Sequence, residues 1–349
     1  MKTARLGKTN LEVSRIGMGG IPIQRPTEAE AIKVIHRALD LGVNWIDTAV
    51  GYGNSEERIG KALATGGRRE QVIIATKTTS KDKSTALEHL ERSLRCLQTD
   101  YIDIWQLHHV RNLEDYERRV HLPGGALEAA REALQAGKVR HIGFSSHSLD
   151  IALEMVRSDL FETVQFPFNF MVSETAEKLI PLAQEHDVGF IAMKPLGGGG
   201  RLDVTLAIKF LMQFDTVLPD PGIQRVEEIE EIVDIVNGSW ELTEQERQEI
   251  ARVRATLGTR FCRWCEYCEP CPQGVYISLL MNCPGGLKIH GLEAWLARTA
   301  KTVEDGKNCI QCGECELKCP YQLPIREVIA ENIAFYERTA AEHAAQQEQ

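Results

Sequence analysis

The first two-thirds of the chain alternate short β-branched runs with longer stretches whose apolar residues recur every three or four positions. The first pattern predicts buried strands and the second predicts amphipathic helices. We predict eight strands, at residues 14–18, 45–48, 72–77, 102–107, 141–145, 163–166, 189–193 and 216–219. We predict a helix after each strand, at residues 27–41, 55–64, 84–97, 125–136, 149–157, 174–186, 203–214 and 226–236.

Eight consecutive strand–helix units are the number that a TIM (β/α)8 barrel requires. A doubly wound open sheet is the alternative α/β architecture. Residues 4–13 are typical of a hairpin around a glycine-containing turn, which we expect to cap the floor of the barrel. Residues 242–257 predict one further amphipathic helix.

The composition restricts the location and the partners of the chain. Its 349 residues suit one large barrel and a small additional module. The formal charge of −10 argues against nucleic acid as a partner, because such binding requires a basic surface. The N-terminus lacks a signal-peptide pattern, and no apolar run approaches the ~18 residues of a membrane span. We therefore expect a cytoplasmic protein with no membrane partner.

Residues 45–62 combine a strand end with a loop and the start of a helix. They read Trp-Ile-Asp-Thr-Ala-Val-Gly-Tyr-Gly-Asn-Ser-Glu-Glu-Arg-Ile-Gly-Lys-Ala. Related signatures follow in order at residues 74–77, 100–108, 143–146, 164–165 and 194–198. Over residues 3–257 the chain resembles the aldo/keto reductases, whose pattern is Asp-Thr-Ala at a strand end, then Tyr-Gly-x-Ser-Glu. The resemblance implies a barrel oxidoreductase that uses NAD(P)H.

The resemblance places the catalytic tetrad of the family on Asp47, Tyr52, Lys77 and His108. Three of these residues end predicted strands and Tyr52 lies in a following loop, on the face where barrel enzymes keep their chemistry. Tyr52 would be the general acid, with its pKa lowered by the Lys77 ammonium that Asp47 holds. His108 would donate a hydrogen bond to the substrate oxygen. Taken singly, each residue also fits a structural role, and we interpret His109 as a polar loop residue.

The resemblance also implies a set of cofactor-binding residues. Ser145 and Gln165 are expected to hold the nicotinamide carboxamide, and the backbone of Leu196 and Gly197 to approach the pyrophosphate. The whole set is Gly20, Ser145, Ser146, Gln165, Pro195, Leu196, Gly197, Gly222, Gln224 and Arg225. Within residues 221–231 the only basic residue is Arg225, and four glutamates follow it. Because these glutamates would repel a 2′-phosphate, we expect NADH to be favoured over NADPH, or both nucleotides to bind weakly.

Nine of the ten cysteines lie between residues 262 and 319, and eight of these form two arrays. The arrays consist of Cys262, Cys265, Cys268 and Cys271, and of Cys309, Cys312, Cys315 and Cys319. The second array has the spacing of a bacterial ferredoxin, in which the fourth cysteine binds the other cluster. We therefore assign one [4Fe–4S] cluster to Cys262, Cys265, Cys268 and Cys319. The second cluster would bind Cys309, Cys312, Cys315 and Cys271, and structural zinc is the alternative metal.

The predicted organisation is a barrel at residues 1–258, a mainly helical ferredoxin-type 4Fe–4S domain at 259–335 and a flexible tail at 336–349. This layout resembles aldo/keto reductases that carry such a C-terminal domain. The predicted function is hydride transfer between NAD(P)H and a carbonyl or alcohol substrate, with the clusters serving structure or exchanging electrons with a protein partner. The alternatives are a redox-sensing nucleotide-binding protein without turnover, and a ferredoxin-linked reductase that does not use NAD(P)H.

Overall fold

The computed structural model describes residues 1–172, 174–198, 202–258, 260–264, 266–319 and 321–347. The chain divides into two compact units. The first consists of Met1–Pro195 and Val204–Leu242, and the second of Leu196–Asp203 and Thr243–Gln349. The helix predicted at 242–257, which the predicted domain boundary assigns to the barrel, groups with the second unit.

The first unit begins with an antiparallel hairpin of β1 (Thr3–Arg5) and β2 (Glu12–Ser14). Eight parallel strands follow: β3 (Met18–Gly19), β4 (Trp45–Asp47), β5 (Ile73–Thr78), β6 (Ile102–Leu107), β7 (Val139–Ser145), β8 (Thr163–Pro167), β9 (Gly189–Met193) and β10 (Val217–Asp220). The helices of this unit are α1 (Glu28–Asp40), α2 (Ser55–Ala64), α3 (Lys83–Leu97), α4 (Leu113–Tyr116), α5 (Ala126–Gln135), α6 (Leu149–Arg157), α7 (Ile180–Glu185), α8 (Val204–Met212) and α9 (Val226–Asn237).

The eight parallel strands pair in chain order, from β3 to β10. The first strand also bonds to the last, because Gly17 N–H donates to Pro219 O at 3.0 Å and Gly19 N–H donates to Pro221 O at 2.8 Å. Gly19 and Gly222 form a further parallel bridge. The sheet therefore closes on itself, whereas a doubly wound sheet stays open and reverses its strand order.

The hairpin covers one end of the barrel interior. Leu6 and Val13 from the hairpin pack with Trp45, Ile104 and Leu218 from the strands, and all five are almost fully buried. Closing a barrel leaves apolar side chains at its floor, and the hairpin removes them from water. The predicted floor cap is confirmed.

Two predicted elements of the first unit differ from the structure. The predicted strand at 14–18 is split, because Ser14 ends the hairpin and the barrel strand starts only at Met18. The segment after His108, interpreted as a loop, contains α4 and a π-helical turn at Glu117–His121. Asn112 begins α4 by accepting a hydrogen bond from Asp115 N–H, which is an N-cap that the sequence pattern did not single out.

The described residues of the second unit form helices and no strands. The helices are α10 (Glu244–Leu257), α11 (Ile277–Met281), α12 (Cys283–His290), α13 (Leu292–Gly306), α14 (Glu314–Lys318) and α15 (Ile325–Gln347). The tail predicted to be flexible is helical as far as Gln347, and Tyr336 within it donates a hydrogen bond to Leu296 O at 2.8 Å. None of the helices in the described ranges has the length and apolar character that a membrane crossing requires.

Candidate active site

Four of the predicted site residues meet at the C-terminal ends of the barrel strands. Asp47 ends β4, Lys77 lies near the end of β5 and His108 follows β6. Tyr52 lies in the tight turn between β4 and α2, where its N–H donates to Ala49 O at 2.9 Å. Parallel strands bring their C-terminal ends to one face of the barrel, so these sequence-distant residues become neighbours.

Lys77 and Asp47 form a buried ion pair. Lys77 Nζ lies 2.5 Å from Asp47 Oδ2 and also donates to Thr48 O at 2.6 Å. Both side chains are almost fully buried. Burial by itself would lower the pKa of Lys77, but the attraction of Asp47 and its hydrogen bond outweigh it, and the pKa is raised. The lysine is therefore held as an ammonium.

Tyr52 lies beside this ammonium, with Lys77 Nζ 5.0 Å from the centre of its ring. Burial raises the pKa of Tyr52, while the charge of Lys77 and a hydrogen bond from it lower the pKa. The balance is upward, so the predicted net lowering of this pKa is wrong. The effect of Lys77 is present, but burial of the phenol is the larger contribution. Tyr52 is thus a protonated phenol near neutral pH.

His108 faces the tyrosine ring at 5.7 Å between ring centres, in an edge-to-face arrangement. Its pKa is well below the ordinary value because of burial and then the charge of Lys77, so the imidazole is neutral. Its Nδ1 is buried with no hydrogen-bond partner. Arg119 holds the backbone by donating to His108 O at 3.0 Å while it pairs with Asp115. Sequence reasoning did not identify this support, because Arg119 lies eleven residues away in the helical segment.

Asp220, at the end of β10, is a second buried carboxyl that sequence reasoning missed. Gln165 Nε2 donates to Asp220 Oδ2 at 2.8 Å. Burial and then the charge of Asp47 raise the pKa of Asp220 well above its ordinary value. The protonated form of Asp220 avoids a second buried negative charge near Asp47. Asp220 thus contacts Gln165, a predicted contact of the nicotinamide carboxamide, and lies within the electrostatic influence of the Lys77–Asp47 ion pair.

A cluster of one lysine and two histidines also lies at this end of the barrel. Lys194 Nζ is 2.7 Å from His147 Nε2, and the rings of His147 and His109 are 4.6 Å apart between centres. Burial and then the charge of Lys194 keep the pKa of His147 well below its ordinary value. His109 therefore packs in a cluster rather than in an open loop. Only the packing of β6, β7 and β9 brings these residues together, so no local pattern could have identified them.

The two predicted cofactor glycines near the barrel rim are places of close approach. A Cβ on Gly20 would lie 2.7 Å from Asp47 O, and one on Gly222 would lie 2.7 Å from Pro22 Cγ. Gly20 N–H also donates to Asp47 O at 2.7 Å. Side chains at these positions would push the site apart.

The two predicted serines differ in how their hydroxyls are used. Ser145 Oγ accepts a hydrogen bond from His109 N–H at 2.8 Å. Ser146 is fully buried, and its hydroxyl donates to Val110 O at 2.7 Å. Ser146 thus binds the loop after β6. Its predicted role as a cofactor contact stays a prediction, as does that of Ser145.

The residues predicted to lie near the 2′-phosphate of NADPH are joined to one another by hydrogen bonds and an ion pair. Arg225 pairs with Glu228 at 2.8 Å, and Glu228 also accepts from Gln224 N–H at 2.9 Å. Arg25 donates to Gln224 Oε1 at 3.2 Å. Arg25 is a second guanidinium at this place, and it was missed because it comes from the loop after β3.

The remaining predicted cofactor contacts fall on both units. Pro195 is buried at the end of the first unit. Leu196 and Gly197 belong to the second unit, where Leu196 O accepts a hydrogen bond from Leu202 N–H at 3.3 Å. Gly197 has φ +78°, and a Cβ there would lie 2.9 Å from Leu202 Cγ. A glycine is required at this position on both counts.

The cysteines of the second unit line two cavities. One is lined by Cys309, Cys312, Cys315, Cys271 and Cys268 among others. The other is lined by Cys262, Cys268 and Cys319 among others. Cys271, the last cysteine of the first array, thus lines a cavity with cysteines of the second array. Cys319, the last cysteine of the second array, lines the other cavity with cysteines of the first. Cys265, which we predict as a ligand, lies outside the described residues.

The loops of the two arrays share an unusual backbone conformation. The residues on either side of the second cysteine have positive φ in both arrays. They are Trp264 and Glu266, both at +60°, and Gln311 and Gly313, at +59° and +80°. Left-handed residues occur in the anion-binding nests of many iron–sulfur sites, where successive N–H groups point toward one centre.

No three His, Cys, Asp or Glu side chains among the described residues converge as ligands of a single metal ion. Cys283 is buried and lines neither cavity. Burial raises the pKa of its thiol to about 11, so it stays protonated. Cys283 is therefore a packed thiol.

Fold and site together define a class of protein: a closed (β/α)8 barrel that places a buried lysine–carboxylate pair beside a tyrosine at its catalytic face. The family model of the aldo/keto reductase family matches residues 15–205, which is more than half of the chain. The chain belongs to the aldo/keto reductase family.

Curated relatives and solved structures agree with this membership. Aldo-keto reductase YhdN of Bacillus subtilis (strain 168) is 35% identical over 205 residues, which cover 54% of this chain and 60% of YhdN. The chain thus spans about 60% of the length of that relative. The holo form of aldo-keto reductase AKR11C1 from Bacillus halodurans has a TM-score of 0.62 at 27% identity, covering 72% of this chain and 96% of that one.

A Klebsiella pneumoniae aldo-keto reductase in complex with NADPH is similar in fold. Its TM-score is 0.62 at 24% identity, covering 72% of this chain and 94% of that one.

Proposed function

We propose that this chain is an oxidoreductase that transfers hydride between a nicotinamide dinucleotide and a carbonyl or alcohol substrate. The observation that carries the proposal is the buried Lys77–Asp47 pair beside the Tyr52 phenol and the neutral imidazole of His108. Structural ion pairs are common, but these four groups converge where barrel enzymes bind substrates. The presence of Arg119 behind His108 supports a fixed rather than an incidental arrangement.

The bound dinucleotide would supply the hydride. As the carbonyl carbon accepts it, negative charge develops on the oxygen, and Tyr52 donates its proton to that oxygen. His108 donates a hydrogen bond to the same oxygen and so orients the carbonyl. Lys77 stabilises the phenolate that remains on Tyr52, and Asp47 keeps Lys77 in position.

The raised pKa of Tyr52 determines its protonation state before the reaction. Near neutral pH the phenol is protonated and can act as the general acid of carbonyl reduction, whereas alcohol oxidation requires it as a base. We therefore propose that the resting state is ready for carbonyl reduction, and that alcohol oxidation first requires loss of the Tyr52 proton.

Nicotinamide oxidation in the presence of a panel of aldehydes and ketones tests the proposal. Turnover that depends on both a carbonyl and NADH or NADPH supports it. Nucleotide binding without turnover over a broad panel would instead support the redox-sensing alternative. Turnover with reduced ferredoxin, but not with either nucleotide, would support the ferredoxin-linked alternative.

NADH is expected to bind more tightly than NADPH. Arg225 already pairs with Glu228, so a 2′-phosphate would meet the carboxylates of Glu227 and Glu228 with little compensating charge from Arg225. Arg25 opposes this preference, since its guanidinium reaches Gln224. Dissociation constants measured by fluorescence titration test the prediction, and NADPH binding at least tenfold tighter than NADH would contradict it. Glu228→Gln should improve NADPH binding, whereas the control Glu231→Gln should not.

We further propose that the second unit is a ferredoxin-type domain that binds two [4Fe–4S] clusters. Cys262, Cys265, Cys268 and Cys319 would hold one, and Cys309, Cys312, Cys315 and Cys271 the other. Two observations support these sets: the last cysteine of each array lines the cavity of the other array, and left-handed residues flank the second cysteine of each array. Four zinc ligands must all reach one ion at ~2.3 Å, whereas the ligands of a cubane bind separate iron corners. The clusters would either transfer electrons one at a time to a protein partner or stabilise the helical unit.

Anaerobic purification should yield a brown protein with about eight iron and eight sulfide per chain, as two [4Fe–4S] clusters require. Cys271→Ser should lower the iron content by roughly half, because it removes a ligand of one cluster only. Cys283→Ser is the matched control and should leave the iron content unchanged, because this thiol lines neither cavity. A colourless protein with stoichiometric zinc would contradict the proposal.

A further inference from the structure

We propose that Asp220 is a positioning residue for the nicotinamide: it holds the side-chain amide of Gln165 so that Gln165 Oε1 is presented to the carboxamide of the cofactor. This inference rests on the proposed function. Asp220 has no place in the tetrad, and it follows Pro219 at the end of the last barrel strand. Barrel closure brings it to the catalytic face.

The contacts of Asp220 fix the orientation of the Gln165 amide. Gln165 Nε2 donates to Asp220 Oδ2 at 2.8 Å, so its oxygen points away from Asp220. That oxygen, Gln165 Oε1, is buried and has no hydrogen-bond partner. A buried acceptor without a donor costs free energy, which a ligand that donates to it would recover. The NH2 group of a nicotinamide carboxamide is such a donor.

The other side of Asp220 faces the catalytic ion pair. Asp47, which binds Lys77 Nζ, acts on Asp220 through its charge and favours the protonated form of Asp220. Asp220 Oδ2 accepts from Gln165, whereas Asp220 Oδ1 is buried and has no hydrogen-bond partner. A protonated Asp220 therefore accepts from Gln165 without adding a second buried negative charge near Asp47.

The surroundings of Asp220 leave little room for another arrangement. A Cβ added to Gly19 would lie 3.0 Å from Asp220 Oδ1, so only a residue without a side chain leaves room for the carboxyl at this place. Asp220 is 7% exposed and Gln165 is 2% exposed. Neither side chain can relax toward water, and loss of the carboxyl would leave the Gln165 amide without its anchor.

Ionisation of Asp220 would also respond to the redox state of the cofactor. The charged and titratable groups that face it are Asp47 on β4, Lys77 on β5 and Tyr52 in the β4–α2 loop, and Gln165 on β8 is its neutral partner. Oxidised nicotinamide carries a positive ring and reduced nicotinamide does not. A negative Asp220 therefore favours the oxidised form, so affinity for NAD+ relative to NADH should rise with pH by up to about tenfold per unit.

The test compares Asp220→Leu and Asp220→Asn with the wild type in titrations with NADH, NAD+ and ADP-ribose, which lacks the nicotinamide. Asp220→Leu removes the acceptor for Gln165, and its dissociation constant for NADH should rise at least tenfold. Binding of ADP-ribose should stay within twofold. A Gln165→Leu variant should lose NADH affinity to a similar extent, and the double variant should lose little more, since both act through one contact.

Asp220→Asn keeps an acceptor toward Gln165 and carries no charge, so it mimics the protonated carboxyl. It should keep NADH affinity within about threefold but lose the pH dependence of the NAD+ to NADH affinity ratio. Unchanged NADH binding by Asp220→Leu, or an equal loss of ADP-ribose, would overturn the inference. So would a pH dependence that persists in Asp220→Asn. Failure of the wild type to bind any nicotinamide dinucleotide would instead overturn the proposed function itself.

Discussion

Replacement of Tyr52 by phenylalanine is expected to lower kcat for carbonyl reduction by roughly 10²- to 10⁴-fold, the range typical of a lost general acid. The variant keeps the ring that packs against His108 and beside Lys77. Only the proton donor is removed. Cofactor affinity should therefore change little, and the loss should appear in kcat with a carbonyl substrate under saturating NADH.

Tyr101→Phe is the matched control for this experiment. Tyr101 precedes β6 at the opposite end of the barrel, where its ring receives the guanidinium groups of Arg69 and Arg140 at 4.0 and 3.8 Å. Phenylalanine preserves these ring contacts, so activity should stay within about twofold of the wild type. Wild-type kcat in Tyr52→Phe would contradict the proposed acid, and an equal loss in both variants would indicate general damage to the barrel.

Replacement of Lys77 by methionine should both abolish turnover and destabilise the barrel by about 3–5 kcal/mol. Methionine fills a similar volume but leaves the Asp47 carboxylate buried without its cation, next to the carboxyl of Asp220. Removing one partner of a buried ion pair costs more than the pair contributes, because the remaining charge is desolvated. Thermal unfolding followed by circular dichroism should show a Tm lower by roughly 6–20 °C for a unit of this size.

Lys61→Met separates the effect of burial from that of losing an ion pair. Lys61 Nζ lies 2.6 Å from Glu28 Oε2, almost the same distance as in the Lys77–Asp47 pair, but both side chains are about half exposed. Exposed ion pairs contribute about 0–1 kcal/mol, so this variant should be nearly as stable as the wild type. Equal stability losses in the two variants would contradict a special role for the buried pair.

Several features could be predicted from sequence because local patterns carry them. The capping box at Thr27 begins α1 as expected, because Thr27 Oγ1 and the Glu30 carboxylate each accept a backbone N–H. Asp47 ends β4, Lys77 lies near the end of β5 and His108 directly follows β6. Since parallel strands place those ends at one face, order along the chain was sufficient to predict that these residues lie together.

The prediction of one strand at 14–18 was wrong because of a contact that is distant in sequence. Ser14 Oγ accepts an N–H from Asn44 and donates to Ile16 O at 2.7 Å, and the hairpin strand ends at Ser14. The contact with Asn44 comes from thirty residues later in the chain, so the local sequence does not indicate that Ser14 belongs to the hairpin.

By itself, the sequence determined the barrel, because spacing and strand ends are properties of neighbouring residues. It also predicted that Asp47, Tyr52, Lys77 and His108 lie together, and the pairing of the cysteine arrays stays a prediction. Tertiary structure decided which groups the tetrad touches and how they are protonated. Asp220, Arg25 and the His147–Lys194 pair come from distant strands, so only closure of the barrel brings them to the site. Burial depends on the whole fold, and its effect on the pKa of Tyr52 is larger than that of Lys77. The sequence therefore shows that Lys77 lowers this pKa, but only the folded surroundings determine that the net shift is upward.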